Sequence, residues 1–418
     1  MSNKVEEKSI VLADQLALVP TLRFPEFRDA GEWVETPLKV IADPVSERAT
    51  QDVENNILSL SGEDGLVLQR EYFGKKVAGE NSERYLKIVR DDFVYNDRTT
   101  KASTYGTIKR LTKYSGGIVS PIYKCFRFNA DENPVFWEWY FESGIHDKQL
   151  RSLVNEGARA GRFNISISQF LSTAAWRPNE DEQQKIADCL ASIDELLTME
   201  GQKLAALKAH KKGLMQQLFP AQGETLPTLR FPEFRDADVW INKQLCKVAD
   251  VNASGDLDSE YFSPTKTDQH IYPIYSNSVT QEGLYGYCTY PKYKKDSVTI
   301  TARGTLGVAF CRDHDYVGIG RLLILSNLKN VIPYFLQEIW NYSAKMPLEN
   351  GGIPQLTAIK ARAVELYLPE KEEQQKIADF LSSIDELITA QTQKLSTLKA
   401  HKKGLMQQLF PALDEVQR

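Results

Sequence analysis

The residues that could do chemistry are few and poorly matched to it. Two tetrapeptides approach the [DN]-P-P-[YF] loop found in adenine methyltransferases. Asn133-Pro134-Val135-Phe136 and Ser120-Pro121-Ile122-Tyr123 each lack the second proline, and neither is joined by a strand-following G-x-G cofactor loop. Asn133 and Pro134 instead suit a helix start, the asparagine as cap and the proline in the first turn. The histidines His146, His210, His270, His314 and His401 form no HExxH motif and no Cys/His cluster. His314 lies in "RDHDY", which reads as a polar hairpin turn before it reads as a metal site. "GDLDSE" from Gly255 falls short of a calcium loop. The aromatic run "FWEWYF" could stack bases, but its helical spacing assigns it to a core. The sequence has no P-loop. We therefore expect no catalytic residue, no metal and no cofactor held by this chain.

Composition bounds the alternatives. At 418 residues the chain is too long for one ordinary core. With 42% hydrophobic and 26% charged residues it has the make-up of a soluble globular protein. No apolar run approaches the roughly 18 residues of a membrane span, and "MSNKVEEKSIVLADQLALVP" is too acidic for a signal peptide. The five scattered cysteines, without a CxxC pair, suit a reducing cytoplasm. Net charge is −5, yet residues 34–178 carry 20 Lys/Arg against 19 Asp/Glu and residues 241–369 carry 13 against 12. The acidic excess thus lies outside these two stretches, and charge alone gives no positive sign of a nucleic-acid partner.

What would position any functional residue is a repeat. Glu182 to Ala221 matches Glu373 to Ala412 at 32 of 40 positions, including fifteen identical residues, "LKAHKKGLMQQLFPA". "PTLRFPEFRDA" occurs at Pro20 to Ala30 and again at Pro227 to Ala237. The chain is two units, each with an arm, a variable body and a long charged segment. In that segment Ile186, Leu190, Ile193, Leu197, Leu204, Leu207, Leu214 and Leu218 fit an a/d heptad seam. Its second copy reads Ile377, Leu381, Ile384, Ile388, Leu395, Leu398, Leu405 and Leu409. Both seams are broken at the same places, Glu200 with Gln391 and Lys211 with Lys402. Polar seam residues cost stability but fix register. Pro220 and Pro411 end the helices. The obvious partner of each helix is the other copy; periodicity alone permits a parallel or an antiparallel pair.

The bodies read as mixed α/β. "YPIYSNSVTQEGLYGYCTY", "KDSVTITARGTLGVAFCR" and "RLLILSN" are strand-like, and "NVIPYFLQEIWNYSA" and "NPVFWEWYFESG" are helical. Each body ends in a glycine-marked loop, Gly161-Arg162-Phe163-Asn164 or Gly352-Ile353-Pro354-Gln355, feeding a last strand and then Pro178 or Pro369.

The arm, the variable region and the Pro-x-x-x-EQQKIAD-x-L-x-SIDEL helix ending "LKAHKKGLMQQLFP", all occurring twice, resemble the specificity subunit of type I restriction–modification enzymes. The resemblance covers nearly the full length and implies a fold. It is mixed α/β, with two globular target-recognition domains separated by two long helices in an antiparallel coiled coil, with pseudo-two-fold symmetry. The expected divisions are an arm over 1–33, recognition domains over 34–178 and 241–369, a helix with linker over 179–226, a second arm over 227–240, and a last helix over 370–418. The resemblance further implies a non-enzymatic chain that reads an asymmetric, bipartite double-stranded DNA target. It docks two methyltransferase subunits, with restriction–translocation subunits as further partners, and S-adenosylmethionine, ATP and Mg sit on those partners. Two other classes fit parts of the sequence: a coiled-coil adaptor without sequence-specific DNA contact, and a self-sufficient DNA methyltransferase.

For DNA contact we expect basic and polar residues beside turn glycines, where backbone can approach phosphates closely. In the first body these are Arg98, Lys101, Lys109, Arg110, Lys113, Arg159 and Arg162. In the second they are Lys292, Lys294, Lys295, Arg303, Arg321, Lys360 and Arg362, with Ser276, Asn277 and Thr305 as polar base-readers.

Overall fold

The computed structural model describes residues 18–49, 56–73, 82–99, 103–153, 163–343 and 355–411. It forms two compact units, residues 1–199 with 395–418, and residues 200–394. The division falls inside both long helices, Glu180–Leu218 and Lys371–Leu409. Each unit therefore takes one arm, one body, the first half of one helix and the last half of the other.

In the first unit, one antiparallel sheet runs in the order Ala42–Pro44, Lys124–Phe128, Phe93–Asn96, Thr107–Arg110. A second runs Gly65–Leu68, Ile57–Ser61, Gly116–Val119, Leu86–Val89, its middle pair parallel. In the second unit the first sheet is Asp250–Ala253, Leu323–Ser326, Ser297–Ile300, Ala309–Arg312. The other is Phe262–Ser263, Leu284–Cys288, Tyr272–Tyr275, Val317–Gly318, its last pair parallel. The two bodies, dissimilar in sequence, share this plan down to register. Phe93 faces Arg110 across one hairpin, and Ser297 faces Arg312 across its counterpart. They differ in the fourth strand of the second sheet, which is added at opposite edges.

The expected helices form. Pro134–Glu142 is capped by Asn133, whose side chain accepts from Val135 N at 2.9 Å and Phe136 N at 3.1 Å. That is the helix-start reading of the near-miss motif. Phe136, Trp137, Trp139, Tyr140 and Phe141 are all buried, and Trp137 stacks on Phe128 at 4.7 Å. The aromatic run is core, with no face free for bases. Pro333–Ser343 buries Phe335, Leu336, Ile339 and Trp340 in the same manner. One element departs from expectation: a short helix, Ile167–Leu171 or Ala358–Arg362, precedes each last strand. Its cause is local. Ser166 and Gln169 form a capping box, and Thr357 caps the other copy.

The last strands, Ala174–Arg177 and Glu365–Leu368, pair with arm-proximal strands Val34–Pro37 and Ile241–Gln244 and so deliver the chain to the long helices. Along those helices every expected seam position is buried or half-buried. The ends do more than pair. Ile186 and Leu190 sit in the first body's core with Leu409 and Phe410. Ile377 and Leu381 sit in the second body's core with Leu218 and Phe219. Within each unit the helix halves run antiparallel, and the seam breaks show why they are tolerated. In the second unit Gln391 Nε2 donates to the Glu200 backbone and carboxylate at 2.9 and 2.6 Å, and Lys211 pairs with Asp385 at 2.7 Å. In the first, Lys402 pairs with Asp194 at 2.5 Å. Each polar seam residue thus has a partner at one register only.

Candidate nucleic-acid interface

The mounts are built identically. Arg23 donates to both carboxylate oxygens of Glu182 at 2.8 and 2.7 Å, and Arg230 repeats this on Glu373 at 2.8 and 2.5 Å. Both pairs are buried, and each arm arginine also binds an arm carbonyl, Gly31 O or Ala237 O. The arm backbone closes on a helix end: Leu22 N donates to Gln408 O and Leu229 N to Gln217 O, each at 2.9 Å. Phe410 then packs against Trp33 and Phe136, and Phe219 against Trp240 and Phe335. These contacts fix how each body sits on its helices and leave the loops at the strand ends to vary.

In the second body, three of those loops meet at one asparagine. Asn277 Nδ2 donates to Gly320 O at 2.6 Å, and its Oδ1 accepts from Ala302 N at 2.6 Å. Gly304 and Gly320 close in on it, both with positive φ, +67° and +68°. At Gly320 the positive φ, which side chains with a Cβ rarely adopt, is what favours glycine. Ser276, Asn277, Arg303, Thr305 and Arg321 are therefore brought together, with Arg303, Thr305 and Arg321 exposed. Asn277 acts as the clamp of the cluster. Its amide is already spent on backbone, so its neighbours face outward instead. Ser276 likewise closes its loop, its N and Oγ bonding Gly283 O at 2.8 and 3.3 Å.

Lys292, Lys294 and Lys295 are exposed on a separate turn facing Asp315 and Tyr316. Lys294 forms an ion pair with Asp315 at 2.9 Å, which draws the Asp315 carboxyl below its usual range. Lys360 and Arg362 lie elsewhere, on the short helix near the helix mount. Arg362 donates to Val251 O at 2.6 Å, and Lys360 lines a cavity of about 890 Å³ with Pro220, Tyr342 and Tyr367. They do not join the loop cluster.

In the first body the loop after Phe93–Asn96 corresponds to the Thr301–Val308 loop. Its base is tied down by buried Asp97, which accepts from Ile165 N at 3.1 Å and pairs with Lys124 at 2.6 Å. Arg98 follows it and is exposed, as is Lys113. Lys101, Arg159 and Arg162 lie outside the described residues. Lys109 and Arg110 are engaged inside the domain, Lys109 with Glu142 at 2.6 Å and Arg110 with Asp91 and Glu138 at 2.7 Å each.

Sequence reading passed over the tip of the Ser276–Gly283 loop. Val279, Thr280, Gln281 and Glu282 are exposed there, and Gln281, Glu282 and Gly283 take positive φ of 49°, 54° and 86°. Beneath them Arg312 is 1% exposed, its guanidinium 3.5 Å from the Tyr275 ring centre. Burial pulls its pKa down. The signal that existed was the polar run "SNSVTQEG" between two strand-like segments.

Among the described residues, no group of His, Cys, Asp and Glu could hold a metal ion, and no helix is long and apolar enough to cross a membrane. His146 is buried beside Thr173, and burial lowers its pKa to about 3. His314 bonds Tyr275 and Asp313.

Residues 238–400 match the family described as type I restriction modification DNA specificity domain. The chain is 26% identical over 207 residues to a Mycoplasma pneumoniae protein described as type I specificity subunit S.MpnORF507P, covering 50% of this chain and 54% of that one. A second from that organism, S.MpnORF89P, is 27% identical over 128 residues, covering 31% and 38%. The chain thus spans about half the length, or less, of these relatives. Among solved structures, the S subunit of a type I restriction-modification system from M. genitalium superposes with a TM-score of 0.62 at 14% identity, covering 95% of this chain and all of that one. A structure from work on complex assembly and conformational transition of the type I R-M system gives 0.54 at 18% identity, covering 91% and 98%. These two likenesses show the fold, with its paired long helices. Residues 238–400 thus match a type I restriction modification DNA specificity domain, and the chain is similar to proteins described as type I specificity subunits.

Proposed function

We propose that this chain is the DNA-recognition subunit of a type I restriction–modification complex. Its two bodies, over 34–178 and 241–369, each read one half of an asymmetric bipartite target. The observation that carries this is two domains of one topology and dissimilar loops on identical mounts. An adaptor without DNA contact leaves that combination unexplained, and a self-sufficient methyltransferase lacks a motif to work with. Phosphate contacts fall to exposed cations of the loop clusters: Arg98 and Lys113 in one body, Arg303 and Arg321 in the other. Lys292, Lys294 and Lys295 extend that set. Lys101, Arg159 and Arg162 belong to the same proposal on sequence grounds.

The helix pair sets the separation and docks two methyltransferase subunits. In support, exposed Lys208, His210, Lys212 and Gln216 recur as exposed Lys399, His401, Lys403 and Gln407, offering one partner two equal surfaces. Those subunits bind S-adenosylmethionine and methylate an adenine flipped from the duplex. ATP and Mg belong to restriction subunits where these join, and the complex works in the cytoplasm. The test is to express the chain with its modification subunit and map N6-methyladenine across the genome. A split, asymmetric motif that depends on the chain is expected, and exchanging residues 241–369 alters one half alone. A single continuous motif, or methylation indifferent to the chain, overturns the reading.

A further inference from the structure

The second body contains a buried cation outside the residues assigned to DNA, and it holds one loop. Among the described residues Arg312 is the most deeply buried lysine or arginine, at 1% exposed. Its Nε donates to Thr299 Oγ1 at 3.0 Å and its Nη2 to Glu282 O at 2.7 Å, while Nη1 lies 3.5 Å from the Glu282 carboxylate. Two of the three guanidinium nitrogens therefore serve one residue, and that residue lies in a left-handed run. Gln281 and Glu282, neither of them glycine, have φ of 49° and 54°. Such conformations persist only where their surroundings over-determine them. Here the surroundings are Arg312 on one leg, the Ser276–Gly283 backbone bond across the base, and the Asn277 clamp on the other leg. The tip is thus rigidly mounted, exposed, and flanked by the loops that carry Arg303 and Arg321. A site fixed by supporting bonds, with its working side chain in solvent, is how specific readout is preorganised.

Resting on the recognition function above, we propose that Gln281 reads a base pair in the half-site of the second domain, and that Arg312 is its positioning residue. A glutamine amide offers donor and acceptor in one plane, matching adenine N6 and N7 in the major groove. Arg312 contributes twice: it fixes the turn that presents Gln281, and it neutralises Glu282, whose carboxylate is 67% exposed and would otherwise repel phosphate.

The test uses the full complex and maps methylated motifs, so the first half-site is an internal control. In Gln281→Ala the first half stays unchanged, and the second loses discrimination at one A·T position by roughly 5- to 150-fold, the worth of one bidentate pair. Arg312→Gln relaxes the same position. Glu282→Gly, which removes the carboxylate beside Arg312 and lets the turn leave the left-handed region, does so too and covers the case in which Arg312→Gln fails to fold. Arg303→Ala instead weakens methylation across all sequences. An unaltered motif in Gln281→Ala, or relaxation in the first half, overturns the assignment of Gln281. A folded Arg312→Gln with an intact motif overturns the positioning role. If methylation by the unaltered complex did not require this chain, the recognition function itself would fail, which is a distinguishable result.

Discussion

Ending the chain after Ala221 should give a protein that folds only as a pair. In the intact chain the first unit's core is completed by the last helix. Leu409 and Phe410 are 1% and 3% exposed there, with Leu405 and Met406 packed beside them. Lys402 lies 3.9 Å from the centre of the Trp139 ring while paired with Asp194. Losing a buried phenylalanine costs about 3–5 kcal/mol and a buried leucine about 2–5 kcal/mol. Removing Leu409 and Phe410 alone therefore costs about 5–10 kcal/mol, comparable to the whole net stability of a domain. Residues 1–221 carry the remedy, because Lys211, Leu214, Met215, Gln217, Leu218 and Phe219 are the residues that fill that socket under other numbers. A continuous helix from Glu180 to Leu218 cannot bring its own end back to its start, so the plug must come from a second copy. Light scattering should show a dimer whose melting temperature rises with concentration. Phe219→Ala in the truncated chain should abolish it, and with modification subunits the dimer should direct methylation to two copies of one half-site. A cooperatively folded monomer of residues 1–221 would refute the reasoning.

Two further outcomes follow from buried ionisable groups. Glu182→Ala strands the Arg23 guanidinium at 7% side-chain exposure and should cost about 3–5 kcal/mol of unfolding free energy by urea titration. A double Arg23→Leu, Glu182→Leu change should recover most of that loss. His146 is held neutral by burial, its pKa lowered to about 3 from 6.5, so the unfolded state takes up its proton first as pH falls. Stability is then full above pH 6.5 and lost toward pH 3, by about 1.4 kcal/mol at pH 5.5, and His146→Gln should flatten that slope in urea midpoints measured across this range.

The mount was legible in the sequence and the reading surface only partly so, for a physical reason. A heptad period is local, so Ile186 to Leu218 could be placed on one face without knowing what lay opposite. Even the seam breaks were visible, though not that Glu200 and Gln391, equivalent by repeat, would meet each other. The hairpin of Ile57–Ser61 and Gly65–Leu68 was missed despite its alternating leucines around "SGEDG". The short capped helices were missed because five residues leave too little period to read. Asn277, expected as a base-reader, has both ends of its amide bonded to backbone. Its partners, Ala302 and Gly320, are 25 and 43 residues away, and only the sheet topology brings them together. Lys109 and Arg110 look like surface cations in sequence because Glu138 and Glu142 reach them from a distant helix.

Nine of the fifteen identical residues fall into two groups with different causes. Lys211, Leu214, Met215, Leu218 and Phe219 fill a socket, and their second copies fill another lined by an equivalent tryptophan, Trp33 in one unit and Trp240 in the other. A change in either plug must be matched by its socket, and the arms that build the sockets repeat as well, so these positions are tied pairwise by packing. The bodies carry no such tie beyond topology, and their loops differ. Packing, however, says nothing about Lys208, His210, Lys212 and Gln216. They face solvent in both copies, where helix propensity would accept many residues, and nearby exposed Ala205 and Ala206 have become Ser396 and Thr397. Identity at exposed positions that packing leaves free calls for a surface outside the chain that both copies must satisfy. Two equal partners on two equal mounts would meet that requirement, whereas a ligand of the loops, which differ between the bodies, would not.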